Sequence, residues 1–308
     1  MRNPILNYFV RFIIGGFFIF SGVVKLYPVE SFELTLVETG VIPWAVSDWT
    51  ARLIIAMELF LGAGLFINSK WLPRIIRSTI LLTIFFSVYL IILWYNKGGE
   101  VDCGCLGGAL TLTPSQSLIK NALIIVLLVF SLFGATPYLR RYRLVFFLLV
   151  GSAITAPFVL NPIHFDRTIP GEESFPFRLE LEKFPSHVIA DIPFDVNSER
   201  YILAFMSTTC SHCRLAAKKL HLANAKMELP PIHILFVGPK EEYPEFQKES
   251  RSAFGYTFFG DKTFFEFCNG TLPTLLYIND GQVWNKWQGN DINHEALNWI
   301  EEQSKSKN

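Results

Sequence analysis

The chain has 308 residues, of which 51% are hydrophobic and 18% are charged, and its mean hydropathy is +0.33. This composition excludes an ordinary soluble globule, which would need more charged residues at its surface. Lys and Arg together number 27, as do Asp and Glu, so the zero net charge gives no support to a nucleic-acid partner. The long apolar runs lie almost entirely before residue 161, which predicts a membrane domain followed by a water-soluble domain.

Five apolar runs have about the 20 residues that a membrane-spanning helix needs. Buried helices of a soluble protein are a weak alternative, because the intervening segments offer too little polar surface to coat a globule. The first run is longer than the apolar core of a signal peptide and no A-x-A-like cleavage site follows it, so we expect a retained helix. The predicted spans of the multi-pass helical bundle are 8–27, 50–67, 75–95, 117–136 and 143–160.

Lys and Arg in short loops predict the orientation of these spans, because cytoplasmic loops carry an excess of both residues. The opposite loops are 28–49, which has acidic residues but no Lys or Arg, and 96–116. The N-terminus is then cytoplasmic, and the chain after residue 161 lies outside a bacterial-type inner membrane, where disulfides form. The cytoplasmic set is Arg2, Arg11, Lys70, Arg74, Arg77, Arg140, Arg141 and Arg143.

Glu58 lies about 8 residues into its predicted helix, which places it roughly 12 Å deep at 1.5 Å per residue. A carboxylate at that depth is costly, so Glu58 is a candidate functional residue, and Lys25 is its candidate partner. Two interpretations stay open: a polar contact that only holds helices together, or a proton relay beside a redox site.

Cys103 and Cys105 stand in the stretch VDCGCLGG, within the predicted outer loop 96–116. A disulfide between them requires a tight, strained ring, and Gly104 makes the turn accessible. Strained disulfides are readily reduced, which suits a relay of thiol exchange. Cys103 and Cys105 are therefore predicted to be a redox pair, in addition to a Cys-x-x-Cys pair in the second half of the chain. Metal binding by the two thiolates and a structural bridge are the alternatives.

The stretches GGFFIFSGVVKLYPVESF (15–32) and MELFLGAGLFI (57–67), with Pro43 between them, resemble the DoxX/MauE family of small membrane proteins. The segment CGCLGG (103–108) is similar to the Cys-x-Cys segment of its methylamine-utilisation MauE branch. The resemblance covers about residues 5–135. It implies a role in handling disulfides while exported proteins mature.

The second half of the chain predicts a small α/β domain over 190–308, joined to the membrane domain (1–161) by a linker or wrapped edge at 162–189. Asp280-Gly281 between two apolar segments is a strong hairpin signal. The order β-α-β-α-β-β-α predicts a central four-stranded sheet flanked by helices. The predicted elements are a strand at 201–207, a helix from Cys210, a strand at 232–238, a helix at 243–254, strands at 274–280 and 282–288, and a helix at 293–303.

Cys210 and Cys213 form a Cys-Ser-His-Cys motif where a predicted strand meets a predicted helix. The helix N-terminus stabilises a thiolate there, and a protonated His212 would stabilise it further. Cys210 can attack a client disulfide, and Cys213, one turn later, can resolve the mixed disulfide. Half of a zinc site and a structural disulfide are the alternatives. Zinc normally needs four ligands and no second Cys/His cluster follows, so no metal is expected.

With this motif and the later Thr-Leu-Pro-Thr turn, the segment 190–303 resembles the thioredoxin family. The resemblance implies that Pro273 follows a cis peptide bond beside the reactive disulfide and that Leu272 offers its backbone to an extended substrate. Two departures leave the direction of electron flow open: Ser-His stands between the cysteines, and Thr208-Thr209 precedes Cys210 where that family has Trp. Cys268 is either an inert buried thiol or a neighbour of the pair.

These features together predict a membrane-anchored thiol–disulfide oxidoreductase that acts on the thiols or disulfides of exported proteins. Its Cys210/Cys213 pair would also exchange with Cys103/Cys105 or with a separate membrane redox partner. No cofactor is required, although a quinone is a candidate electron acceptor. The alternatives are a maturation factor in which the redox pair is accessory and, less supported by the few intramembrane charges, a solute transporter.

Overall fold

The computed structural model describes residues 4–38, 40, 42–68, 70–99, 103–104, 112–133, 143–163, 175–195, 197, 199–260 and 262–305. The chain divides into two compact units, residues 1–163 and 164–308. Cys105 lies outside the described residues, so the predicted pair with Cys103 is represented by Cys103 alone.

The N-terminal unit is helical throughout its described elements. Five of its helices coincide with the five predicted spans. The additional helix, α2, buries Val29, Phe32 and Leu36, and its 10 residues are too few to span a bilayer. The helices are α1 (Pro4–Lys25), α2 (Val29–Glu38), α3 (Ser47–Leu65), α4 (Leu72–Lys97), α5 (Pro114–Leu132) and α6 (Arg143–Leu160).

Helices α1, α4 and α5 are long and apolar enough, among the described residues, to cross a bilayer. Helix α3 has a similar length but carries Asp48, Arg52 and Glu58, and the apolar part of α6 is short. The N-terminal unit is therefore a membrane domain. That α3 and α6 also cross the bilayer stays a prediction.

Helices α1 and α3 approach closely because each has a glycine at the contact. A Cβ atom on Gly15 would lie 2.7 Å from the carbonyl oxygen of Gly62, and one on Gly62 would lie 2.8 Å from that of Gly15. Small residues at such contacts allow backbones to pack in membranes, where no hydrophobic effect drives helices together.

We expect Gly62→Ala to push α1 and α3 apart and to lower stability by about 1–3 kcal/mol, the usual cost of overpacking. The midpoint of thermal unfolding in detergent measures the effect. Gly16→Ala is the matched control, because a Cβ atom there meets nothing within 4 Å. Equal losses in the two variants would contradict the close α1–α3 contact.

The C-terminal unit is a mixed sheet with strand order β1-β6-β5-β2-β3-β4. Strands β2, β3 and β4 are parallel to one another, whereas β5 and β6 form an antiparallel hairpin beside β2. The strands are β1 (Phe177–Arg178), β2 (Arg200–Ser207), β3 (Ile232–Val237), β4 (Gly255–Phe258), β5 (Thr274–Asn279) and β6 (Gln282–Gln288).

The four predicted strands are β2, β3, β5 and β6, and they form the centre of this sheet. The edge strands β1 and β4 are additional: β1 has two residues, and of the four residues of β4 only Thr257 is buried, so neither shows a strand pattern. The helices of the unit are α7 (Ser186–Asp191), α8 (Ser211–Asn224), α9 (Tyr243–Ser250), α10 (Lys262–Phe267) and α11 (His294–Lys305).

Residues 175–189, expected as a linker or a wrapped edge, pack onto the C-terminal unit. Leu179, Phe184 and Val188 belong to its hydrophobic core, together with Phe205 and Leu276 of the central strands. Three buried apolar side chains in this segment make it part of the domain rather than an open connection.

Candidate active site

Cys210 ends the loop after β2 and caps the N-terminus of α8. Its Sγ atom accepts a hydrogen bond of 3.2 Å from the backbone N–H of Cys213. The loop is fixed by Thr208, whose side chain is buried and donates to the carbonyl of Pro239 at 3.0 Å. Thr208 thus anchors the loop next to the cysteines, at one of the two positions where Thr departs from the thioredoxin pattern.

The two thiols differ in exposure, since Cys210 is partly exposed and Cys213 is fully buried. The thiol of Cys213 and then its backbone N–H stabilise the Cys210 thiolate, with a smaller contribution from the charge of His212, and together they lower the pKa of Cys210 to about 6. Burial, followed by the interaction with Cys210, raises the pKa of Cys213. The site therefore contains one accessible nucleophile and one protonated thiol held in reserve.

His212 is exposed on the first turn of α8. Its charge and, to a smaller extent, a hydrogen bond from its backbone lower the pKa of Cys210.

Pro273 stands immediately before β5 and is buried, and the Leu272–Pro273 peptide bond is cis, as the thioredoxin resemblance implies. Thr274 pairs with Phe205, so the start of β5 lies beside the end of β2 that leads to Cys210. The carbonyl of Pro273 accepts a hydrogen bond of 2.8 Å from the N–H of Gly289.

Cys268 is a reduced, fully buried thiol in the core of the same unit. Its Sγ contacts the carbonyl of Phe265 at 3.7 Å, and burial raises its pKa. An electrostatic interaction with Cys268 also raises the pKa of Cys213, which places Cys268 near the pair. Its own surroundings are those of a packed apolar side chain.

The strand–Cys-x-x-Cys–helix unit, the cis proline before β5, and the closing hairpin and helix make this unit a thioredoxin-like α/β domain. Among the described residues, no group of three or more His, Cys, Asp and Glu side chains is arranged to hold a metal ion.

In the helical unit, Lys25 and Glu58 meet as the sequence predicts. The Nζ atom of Lys25 lies 2.6 Å and 2.9 Å from the two carboxylate oxygens of Glu58, and it donates to the hydroxyl of Ser21 at 2.7 Å. Both charged side chains are 3% exposed. The pair is thus a fully enclosed ion pair that joins α1 to α3.

Cys103 is buried, and its Sγ atom lies 3.1 Å from the hydroxyl of Ser117 on α5. Its backbone N–H donates to the carbonyl of Leu112 at 3.1 Å. Gly104 follows with a φ of +62°, and a Cβ atom there would lie 2.6 Å from Cγ2 of Thr35. Glycine at this position therefore lets the Cys103 segment pack against α2.

A cavity of about 80 Å³ brings these separate features together. Sequence reasoning did not find it, because its walls come from α1 to α5 and the Cys103 segment. The polar residues in the apolar run of α5 were the available signal. The lining side chains include Ser21, Lys25, Glu58, Cys103, Lys120 and Asn121.

A second buried ion pair was also missed. Arg52 donates to Glu33 at 2.6 Å and to the carbonyl of Asn161 at 2.7 Å, and so connects α2, α3 and the end of α6. An arginine inside a predicted span was the signal for it.

Known proteins are similar to the chain over different spans. The model of the family described as methylamine utilisation protein MauE matches residues 3–134. The N-terminal unit is MauE-like. Protein TlpB of Flavobacterium psychrophilum is 27% identical over 362 aligned positions, with 96% of each protein covered. Together with the geometry of the C-terminal unit described above, the MauE match makes the chain a MauE-like membrane unit joined to a thioredoxin-like domain.

Solved structures are similar to smaller parts of the chain. A secreted Mycobacterium tuberculosis disulfide oxidoreductase, homologous to E. coli DsbE, is 14% identical and covers 31% of this chain and 75% of its own, with a TM-score of 0.28. The thioredoxin domain of a thiol-disulfide oxidoreductase from Bacteroides vulgatus is 18% identical and covers 34% and 82%, with a TM-score of 0.30.

The lowered pKa of Cys210 predicts how its alkylation depends on pH. The thiolate is the reactive form, so it is present above a pH of about 6 and lost below it, and alkylation of Cys210 should have its midpoint near that pH. Cys213→Ala removes the largest stabilising contact and should move the midpoint upward. Iodoacetamide labelling of the Cys210 peptide, followed by mass spectrometry, measures both. Cys268→Ala is the control, and a midpoint near 9 in the wild-type chain would contradict the prediction.

Removing one partner of the enclosed ion pair should be more harmful than removing both. Glu58→Gln leaves the Lys25 ammonium without its counter-charge, at a cost of roughly 3–5 kcal/mol, whereas Lys25→Met with Glu58→Gln should recover much of that loss. Thermal unfolding in detergent measures both effects. Glu241→Gln, an exposed carboxylate in the other unit, should change nothing. A double variant less stable than Glu58→Gln alone would contradict this reasoning.

Proposed function

We propose that the chain is a membrane-anchored thiol–disulfide oxidoreductase whose thioredoxin-like domain exchanges disulfides with exported proteins. The unequal acidity of the partly exposed Cys210 and the buried Cys213 is the observation that carries this proposal. The Lys and Arg distribution supports an inner-membrane orientation with the domain on the non-cytoplasmic side.

The exchange transfers two electrons from the client to the domain, and the charges balance. A client thiolate attacks Cys210 of the Cys210–Cys213 disulfide, a client–Cys210 bond forms, and Cys213 leaves as a thiolate and takes up a proton. The second client thiolate then attacks the client sulfur of the mixed disulfide and releases Cys210. The client is oxidised to a disulfide and the domain is reduced to a dithiol.

The pKa of Cys210 favours this oxidising direction over its reverse. A stabilised thiolate is a good leaving group and favours the dithiol form of the domain, so the disulfide form is an oxidant. Electrons taken from clients then have to leave the domain. The Cys103/Cys105 pair is the proposed next carrier, since both pairs lie on one side of the membrane in the proposed orientation.

Trapping a mixed disulfide tests the exchange. In Cys213→Ala, the lone Cys210 thiolate can attack the disulfide of an oxidised client, the reverse of the exchange above, and Cys213 is not present to release the client again. Clients should therefore accumulate as disulfides with Cys210, visible as slower bands on non-reducing gels that collapse with reductant. Cys268→Ala is the matched control and should trap nothing. In intact cells, a membrane-impermeant maleimide should label Cys210 of Cys213→Ala, which reports the proposed side of the membrane.

The internal step has its own readout in the same variant. A peptide that joins Cys210 to Cys103 or Cys105 should appear by mass spectrometry and should be lost in the Cys103→Ser, Cys105→Ser background. Clients trapped without that peptide would overturn the internal relay alone. If no disulfide ever forms at Cys210 while exported proteins still copurify, the redox pair is accessory and the chain acts as a maturation factor.

A further inference from the structure

We propose that the cavity in the helical unit binds the ring of a lipid-soluble quinone, which takes electrons from the Cys103 thiol. The electron-transfer step rests on the proposed function above, whereas the binding of the quinone can be tested without it.

The walls of the cavity suit a flat, apolar ring. Six of the eighteen lining residues are aromatic and four are aliphatic. A single water needs roughly 10–15 Å³, so a volume of about 80 Å³ holds a group of several heavy atoms. Apolar sites with a few placed polar groups are the usual form of small-molecule sites. The aromatic side chains are Phe17, Phe18, Phe32, Phe85, Phe86 and Tyr89.

The cavity is built for a ligand that arrives through the bilayer. Phe85 lines it, yet 56% of the same residue is exposed on the surface of α4, so the wall at this point separates the cavity from lipid by one side chain. A carrier dissolved in the membrane can enter by moving that ring.

Asn121 provides the group that would recognise a quinone oxygen. It is 4% exposed and lines the cavity, and its one hydrogen bond to another described residue runs from Nδ2 to the hydroxyl of Ser87 at 3.2 Å. The other amide proton is therefore available to a carbonyl oxygen of the ligand. A buried amide proton without an acceptor is costly, and a carbonyl oxygen in the cavity would provide one.

The charges around the cavity favour an occupant that gains electrons. Lys25 is neutralised by Glu58, but Lys120 forms no ion pair with any described residue, and its Nζ lies 5.1 Å from the centre of the Phe17 ring. The net positive charge in apolar surroundings stabilises a ring whose oxygens become negative on reduction.

Cys103 places a thiol in the wall of the same cavity. The Cys103 and Cys105 thiols together supply two electrons and two protons, the quinone accepts them as hydroquinone, and one disulfide forms. Every atom and electron is accounted for with the quinone as the oxidant.

Binding is tested with the purified full chain, stripped of lipid and returned to nanodiscs of defined phospholipid, with ubiquinone-1 and menaquinone-1 as probes. Equilibrium dialysis should show one quinone per chain. Asn121→Leu should weaken binding about tenfold, the value of one hydrogen bond in this range. Asn7→Leu is the matched control, because Asn7 is also a buried amide between α1 and α5, bonded to Ser131 at 2.9 Å and remote from the cavity lining.

Electron transfer is tested by the fall of quinone absorbance after the chain is reduced and freed of reductant. In the Cys210→Ser, Cys213→Ser background, which removes the electrons of the other pair, we expect one hydroquinone per chain from the Cys103/Cys105 pair and loss of this reaction when Cys103→Ser is added. No quinone binding, equal affinity in Asn121→Leu and the wild-type chain, or displacement by phospholipid alone would overturn the site. If clients are trapped at Cys210 but no quinone binds, the proposed function stands and the quinone site is wrong. If a quinone binds but no disulfide ever forms at Cys210, the quinone site stands and the proposed function is wrong.

Discussion

A fully buried charge needs a partner, and this requirement organises the helical unit. Lys25 is matched by Glu58 and Arg52 by Glu33, in both cases at 2.6 Å. Arg11, fully buried, instead donates to the carbonyl of Leu65 at the end of α3, where the helix dipole is negative, and to Asn68. Because each partner lies on a different helix from the cation, the ion pairs fix which helices are neighbours.

The glycine contact between α1 and α3 is what allows the central pair to form. Gly15 and Gly62 bring the two backbones together, and Lys25 and Glu58 lie farther along the same two helices. A salt bridge enclosed at 3% exposure repays its desolvation only when its geometry is short and well bonded, as the Lys25 contacts with Glu58 and Ser21 are. The ion pair between Lys25 and Glu58 therefore depends on the close packing of α1 against α3.

The features that sequence reasoning found are those set by local pattern. Apolar runs predicted five helices, and the Cys-x-x-Cys motif at a strand–helix junction predicted the placement of Cys210, because a strand, a turn and a helix start are encoded by neighbouring residues. The cavity and the role of Asn121 depend on five helices meeting, which no local pattern reports. Strands β1 and β4 were missed for a related reason, since they are held by pairing with β6 and β3 rather than by their own sequence.

The five cysteines of the chain also constrain where electrons can go. All of them lie at or after residue 103, and none falls in the loops predicted to face the cytoplasm, so the sequence offers no thiol route across the bilayer. In the proposed function the domain oxidises its clients, so it has to pass on each pair of electrons before it can act again. With no thiol carrier on the far side, the acceptor has to reach the protein from the same side or from within the membrane. The largely apolar cavity between α1 and α5 is where we propose that such an acceptor binds, because the Cys103 thiol, the Asn121 amide and the Lys120 charge lie around it.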